Sequence, residues 1–216
     1  IENAKIDVTD ADGIPATSGT WYNQLNLTVN AKDDESGVHS IVWNITTPNG
    51  KLNPSPSEEA WKIGKNITYI FNYSITDSTM PTGEYSIFAT LQDNAGNTVE
   101  TDAVGPFLVD CKKPDLAIDP ILNSTIYQSG IDFHFTVTEG DAESGIRKVT
   151  LYKMEAGVKT PVKVWTPADD AAKRRLRVDD YRIVNGGTYI LEAEDIAGNI
   201  SKEERTFTKL STTAPE

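Results

Sequence analysis

Leu91-Gln92-Asp93-Asn94-Ala95-Gly96-Asn97 returns near the other end of the chain as Ala193-Glu194-Asp195-Ile196-Ala197-Gly198-Asn199. A second pair accompanies it, Glu35-Ser36-Gly37-Val38 and Glu143-Ser144-Gly145-Ile146. Asp93 and Asp195 stand 102 positions apart and Glu35 and Glu143 stand 108 apart, so two copies of one unit differ by a short length change between the motifs. The chain is a tandem duplication.

The residues leading into each copy alternate. Tyr85, Ile87, Ala89 and Leu91 in the first, and Tyr189, Leu191 and Ala193 in the second, take every other position with mostly polar residues between them. That is the pattern of a half-buried strand. Each strand therefore ends at the Asp. The next residues suit a three-residue hairpin loop, a type I turn over Asn94 and Ala95 followed by Gly96 in the left-handed region. Asp93 can accept hydrogen bonds from the amides ahead of it and so hold the turn without any ligand.

Outward from this hairpin the same grammar continues. Leu25, Leu27, Val29 and Ala31 share one face of a strand, and Ile41, Trp43 and Ile45 share one face of the next. The turn at 33–37 separates them. Pro48, Pro54 and Pro56 make the following stretch a loop or an edge, because proline cannot donate to a central ladder. Ile67 to Ile75 alternates again, and Gly105-Pro106 suits an edge strand. The second unit repeats the order with Ile131, Phe133, Phe135 and Val137, then 146–153, 162–165, 176–184, 189–194 and 200–208. A short turn is expected in 167–177. About seven short strands per unit, without a helical period, predict an all-β chain of two immunoglobulin-like antiparallel β-sandwiches. The boundaries expected are 1–111 and 112–210, with 211–216 opening a linker to a following domain. The run Val109-Asp110-Cys111-Lys112-Lys113-Pro114 joins the units.

Composition narrows the function classes. The 216 residues carry a net charge of -12, with 38% hydrophobic and 24% charged residues. Lys and Arg against Asp and Glu number 6 against 15 in 1–112 and 14 against 17 in 113–216, giving -9 and -3. Such a surface disfavours nucleic acid and anionic membrane as partners. No apolar run approaches the roughly 20 residues of a membrane helix, so no membrane insertion is expected. With one cysteine, Cys111, neither an intrachain disulfide nor a thiolate zinc site can form. Asp10-Ala11-Asp12-Gly13 fails as an EF-hand, because the sixth and twelfth positions would be Pro15 and Trp21. His39 and His134 find no nucleophile at a useful spacing, and no phosphate loop occurs. No catalytic residue and no organic cofactor is expected.

The alternating strand ending in Asp-x-Ala-Gly-Asn, the Glu-Ser-Gly turn and the Asp-to-Pro linker together resemble the tandem immunoglobulin-like repeats of bacterial cell-surface and secreted proteins, the adhesin type. The resemblance covers nearly the whole chain. It implies a non-catalytic stalk, spacer or adhesion module with further immunoglobulin-like domains in the same protein, facing a host or cell-surface protein or glycan. The second reading is a carbohydrate-binding accessory module of a secreted glycan-degrading enzyme. An exposed aromatic row, with Trp61 as a sugar-stacking platform, would favour it. Trp43 is expected in the core.

In such a sandwich the turn after the second strand and the hairpin before the last lie at the pole where the chain enters. Glu139, Asp141, Glu143 and Asp195 are therefore expected to approach one another beside Asp110. Hard oxygen donors of this kind suit calcium, and an interdomain calcium ion is the candidate metal. The equivalent set in the first unit is Asp33, Asp34, Glu35 and Asp93. The run Lys173-Arg174-Arg175-Leu176-Arg177 reads as a charged edge that discourages aggregation.

Overall fold

The computed structural model of the chain describes residues 1–53, 55–60, 64–119, 126–127, 130–140 and 142–209. The chain divides into two compact units, Ile1–Lys112 and Lys113–Glu216.

The first unit contains β1 (Glu2–Thr9), β2 (Trp21–Tyr22), β3 (Leu25–Lys32), β4 (Val38–Thr47), β5 (Gly50–Lys51), β6 (Ser57–Glu59), β7 (Thr68–Ile75), β8 (Gly83–Asp93), β9 (Thr98–Glu100) and β10 (Val104–Val109). One sheet runs β1-β3-β7 and the other β2-β10-β8-β4-β5, with β6 also on β4 and β9 on β8. The second unit contains β11 (Asp115–Ile118), β12 (Ile126–Tyr127), β13 (Ile131–Thr138), β14 (Ile146–Glu155), β15 (Val158–Trp165), α1 (Asp170–Arg174), β16 (Arg175–Ile183), β17 (Gly187–Asp195) and β18 (Ile200–Lys209). Its sheets run β11-β13-β16 and β12-β18-β17-β14-β15.

Alternation in the sequence becomes burial in the fold. Leu25, Leu27, Val29 and Ala31 of β3 face Ile41, Trp43 and Ile45 of β4 and Tyr85, Ile87, Ala89 and Leu91 of β8 across one core. Phe133, Phe135 and Val137 meet Val149, Leu151, Leu191 and Ala193 in the other. Trp43 is 1% exposed, as its place on the alternating face requires.

The pairing departs from a purely antiparallel expectation at one edge of each unit. β2 runs parallel to β10, and β12 runs parallel to β18. Each parallel pair is two residues long, and the rest of the unit supplies the long connection that parallel neighbours require. A tyrosine latches the start of each motif-bearing strand. The Tyr85 hydroxyl donates to the Pro81 carbonyl at 2.7 Å, and the Tyr189 hydroxyl to that of Asn185 at 2.9 Å. Each bond satisfies the polar tip of a buried ring and ties the strand to the turn before it.

The basic run at 173–177 is not a simple edge. Asp169 caps α1 by accepting from the Ala172 amide, and α1 ends at Arg174 before β16 begins. In the turn after β1 the Asp10 carboxylate accepts from the Asp12 and Ile14 amides.

Candidate functional site

The recurring motifs meet at one pole of each unit, and each begins with an Asp serving its own backbone. Oδ1 of Asp93 accepts from the amides of Ala95 at 2.9 Å and Asn97 at 2.8 Å, while Oδ2 accepts from the Asn97 side chain at 2.8 Å. In the second unit Asp195 accepts from the amides of Gly198 at 2.6 Å and Asn199 at 2.8 Å and from the Asn199 side chain at 2.7 Å. Gly96 and Gly198 have φ of 92° and 96°, the left-handed conformation that closes the loop. The final Asn of the motif therefore donates twice to the Asp that opens it. In Asp93 this Asn97 contact, more than any other group, holds the carboxyl below the usual carboxylate range.

Sequence spacing could not show that the two motifs bind each other. The Asn94 amide donates to the Gly37 carbonyl at 2.9 Å, and the Asn94 side chain reaches the same oxygen at 3.0 Å. In the second unit the Ile196 amide donates to the Gly145 carbonyl at 2.8 Å, and the Ala197 amide to Ser144 Oγ at 3.2 Å. The hairpin and the Glu-Ser-Gly turn are two halves of one backbone lock. Gly37 is required twice over, by its φ of 84° and because a Cβ there would run into the Gly64 carbonyl.

The carboxylates at these poles divide by unit. Asp33 Oδ1 accepts from the Ser36 amide at 2.6 Å and the Gly37 amide at 2.8 Å, and Oδ2 takes the Ile1 ammonium at 2.8 Å. The ammonium first, then those two amides, hold Asp33 far below the ordinary carboxylate range. In the second unit Glu139 and Asp195 are both buried, and each offers a carboxylate oxygen within 4.8 Å of the other. Glu143 turns back on its own loop to accept from the Gly140 amide at 2.5 Å. Arg174 clamps that loop from α1, donating to the carbonyls of Gly140 at 2.8 Å and Glu143 at 2.6 Å. Asp110 belongs to the first unit, is fully buried, and accepts from the Lys112 amide at 3.1 Å. Asp141 lies outside the described residues. The fold thus brings Glu139 and Asp195 together, and gives Glu143 a backbone partner. These oxygens are hard donors of the kind that hold calcium.

Other reactive groups are accounted for by structure. Burial, with Asp110 adding to it, pushes the Cys111 thiol up to about 11, so it is a protonated, unreactive side chain at neutral pH. Asp119, His134 and Asp179 cluster on the outer face of β11-β13-β16, but a guanidinium already lies among them. Arg177 binds Asp179 at 2.7 Å and Asp119 at 3.2 Å, and His134 Nδ1 lies 3.4 Å from Asp179. That cation is the countercharge to both carboxylates and would repel a metal ion.

Large exposed hydrophobic side chains among the described residues are all aliphatic: Ile14, Ile70, Val158, Val162, Val164, Val184 and Ile196. Trp165, which reaches in from β15, packs edge-on against Phe135 at 4.9 Å and Tyr181 at 5.2 Å. The flat aromatic row that would stack on sugar rings is therefore not among the described residues. Trp61 lies outside them.

Two sheets per unit, a latched motif strand and a short parallel edge define tandem immunoglobulin-like β-sandwich modules. A family model for the bacterial Ig-like domain matches residues 2–111, and the chain belongs to that family. Among solved structures the chain is similar to the fibronectin(III)-like modules of a Clostridium thermocellum protein, at 14% identity over 97% of this chain and 99% of that one, with a TM-score of 0.35. It is also similar to a tetra-tandem repeat from the extending region of a large adhesion protein, at 18% identity, TM-score 0.30, over 95% of this chain and 49% of that one. Murine CEACAM1b is similar at 12% identity over 96% and 100% of the two chains, TM-score 0.35. No curated protein matches the chain. Modules of this kind are generally non-catalytic.

Proposed function

We propose that the chain is a pair of extracellular stalk modules that carry load and hold an attached functional domain away from a bacterial cell surface. The observation that supports this reading is the motif lock, present in each unit with its own core. Each unit engages its turn carboxylate with its own backbone, through Asp93 in one case and Asp195 in the other. Repeated self-contained sandwiches give length in proportion to their number, and each resists unfolding through its own core.

Pulling the 216-residue chain between its ends tests this directly. Two separate unfolding events are expected, each releasing roughly 35 nm of chain at about 3.6 Å per residue. One event releasing both units together, or extension without a force peak, would remove the spacer reading. The carbohydrate-module alternative predicts signal on a glycan array, and the aliphatic character of the exposed hydrophobic residues argues for silence there.

A divalent cation is the second element of the proposal. Two buried carboxylates as close as Glu139 and Asp195 repel each other, and calcium would relieve that repulsion. Melting curves of the second unit's transition in millimolar calcium and in chelator should then separate by several degrees, as ligand linkage requires. Superimposed curves would remove the metal.

A further inference from the structure

We propose that the outer edge of β15 docks an extended, acidic peptide segment of a partner protein, which adds to the five-stranded sheet as a further strand. The inference goes beyond the stalk reading and does not depend on it.

Three observations carry it. First, β15 is the terminal strand of its sheet, and among the described residues nothing pairs with its outer side. Its eight residues offer an edge of about 26 Å of backbone donors and acceptors. Seven of the eight, Val158 through Val164, are exposed, so this strand projects beyond the sandwich on both faces. Val158, Val162 and Val164 are 62%, 43% and 49% exposed, which places β-branched side chains beside an open ladder. Trp165 packs on Phe135 and Tyr181 and holds the base of the strand to the core.

Second, the charge of this hairpin runs against that of the chain. Residues 146–165 carry Arg147, Lys148, Lys153, Lys159 and Lys163 against Glu155 alone, a net of +4 within a protein of net -12, and of these Arg147 and Lys148 are paired with Glu194 and Lys153 with Glu155. Lys159 is bound to Glu192 at 2.5 Å and lies over the Tyr152 ring at 3.8 Å, leaving Lys163 as the exposed cation on the edge itself. Carboxylates of an added strand would meet the Lys163 ammonium at short range.

Third, the same features exclude the simplest competitor. A second copy of β15 would bring lysine-bearing edges together, which like charges oppose. An acidic strand meets no such repulsion and gains the charge attraction. The first unit shows the contrast. There the position beside β4 is filled by the short, fully exposed Ser57-Glu58-Glu59 strand, which offers neither length nor positive charge.

The test is a titration of the isotope-labelled 216-residue chain with the blocked peptide Val-Glu-Thr-Glu-Val-Glu-Thr-Glu and with its twin carrying Lys for every Glu. Saturable shifts confined to β15 and its neighbours are expected, with slowed amide exchange along β15 and at least tenfold weaker binding of the Lys twin. Lys163→Glu should weaken the acidic peptide by about threefold or more, the scale of exposed charge pairs, and Lys163→Arg should preserve it. Were Lys163→Glu to misfold, the peptide pair on the unaltered chain would read the same charge preference. Equal affinity for both peptides, shifts that avoid β15, or self-association through β15 without peptide would each overturn the proposal.

Discussion

The two units solve the same packing problem with different residues. Four positions before the motif Asp, the first unit places Ala89 opposite Trp43, whereas the second places Leu191 opposite Leu151. One large and one small side chain are exchanged for two of middle size, so a similar volume is filled. Two positions further along the relation reverses, with Ile41 opposite Leu91 in the first unit and the smaller Val149 opposite Ala193 in the second. The space this leaves lies beside Trp165, which pairs with Val149 from β15. In the first unit the matching neighbour of Ile41 is Glu58, exposed and outside the core. The difference teaches that a core is conserved as a volume and that the edge strand is recruited where the central strands fall short. It also explains why the second unit carries a long edge strand while the first has only short ones.

The largest effect should follow from emptying the first core. Trp43→Ala is expected to destabilise the first unit by about 4 kcal/mol and leave the second unit's melting unchanged. Differential scanning calorimetry would show the two transitions part. Asp195→Ala removes the acceptor for two amides and a side-chain amide in a buried loop, and should cost the second unit about 3 kcal/mol in denaturant unfolding. Trp165→Ala should cost about 2 kcal/mol, less than Trp43 because the ring is only partly buried, and should speed amide exchange in β15 before the rest of its sheet. A cycle sharpens the comparison further. Trp43→Leu combined with Ala89→Leu recreates the second unit's pair, and should recover about 1 kcal/mol relative to Trp43→Leu alone. A double variant no more stable than the single would show that the paired volumes are not interchangeable.

The mildest change expected is with acid. Asp33 and Asp93 are both held below their ordinary value of 3.8, so their stabilisation is complete above that value, where the unfolded carboxyls are also ionised. As pH falls through the depressed folded-state range, the unfolded chain binds protons that the folded one resists, and the stabilisation is lost. The first unit's melting temperature should therefore decline below about pH 4, and Asp93→Asn should flatten that decline. A decline of unchanged steepness in Asp93→Asn would assign it to other groups.

Much of the candidate site was legible beforehand because its bonds are short in sequence. Asp93 to Asn97 and Asp195 to Asn199 span four residues, so residue types and spacing suffice to read the turn. The alternation that buries Trp43 is equally local. The cross-bonds from Asn94 to Gly37 and from Ile196 to Gly145 join residues dozens of positions apart, so the sandwich class could place the two motifs at one pole but could not name the backbone bonds between them. Arg174 was read as an edge charge, and it is instead a clamp on the Gly140 and Glu143 carbonyls. Its role depends on α1 ending where the longer turn of the second unit passes.

By itself the sequence determined the duplication, the sandwich class, the hairpin turns and the alternating cores, since each follows from periods of two and from side chains that reach their own backbone. Tertiary structure alone decided the parallel edge pairs, the backbone bonds that join the two motifs, the Arg174 clamp, and the exposure of β15 on both faces. These depend on which distant strands become neighbours, and that choice is made by filling a common volume, a quantity no local stretch of the chain contains.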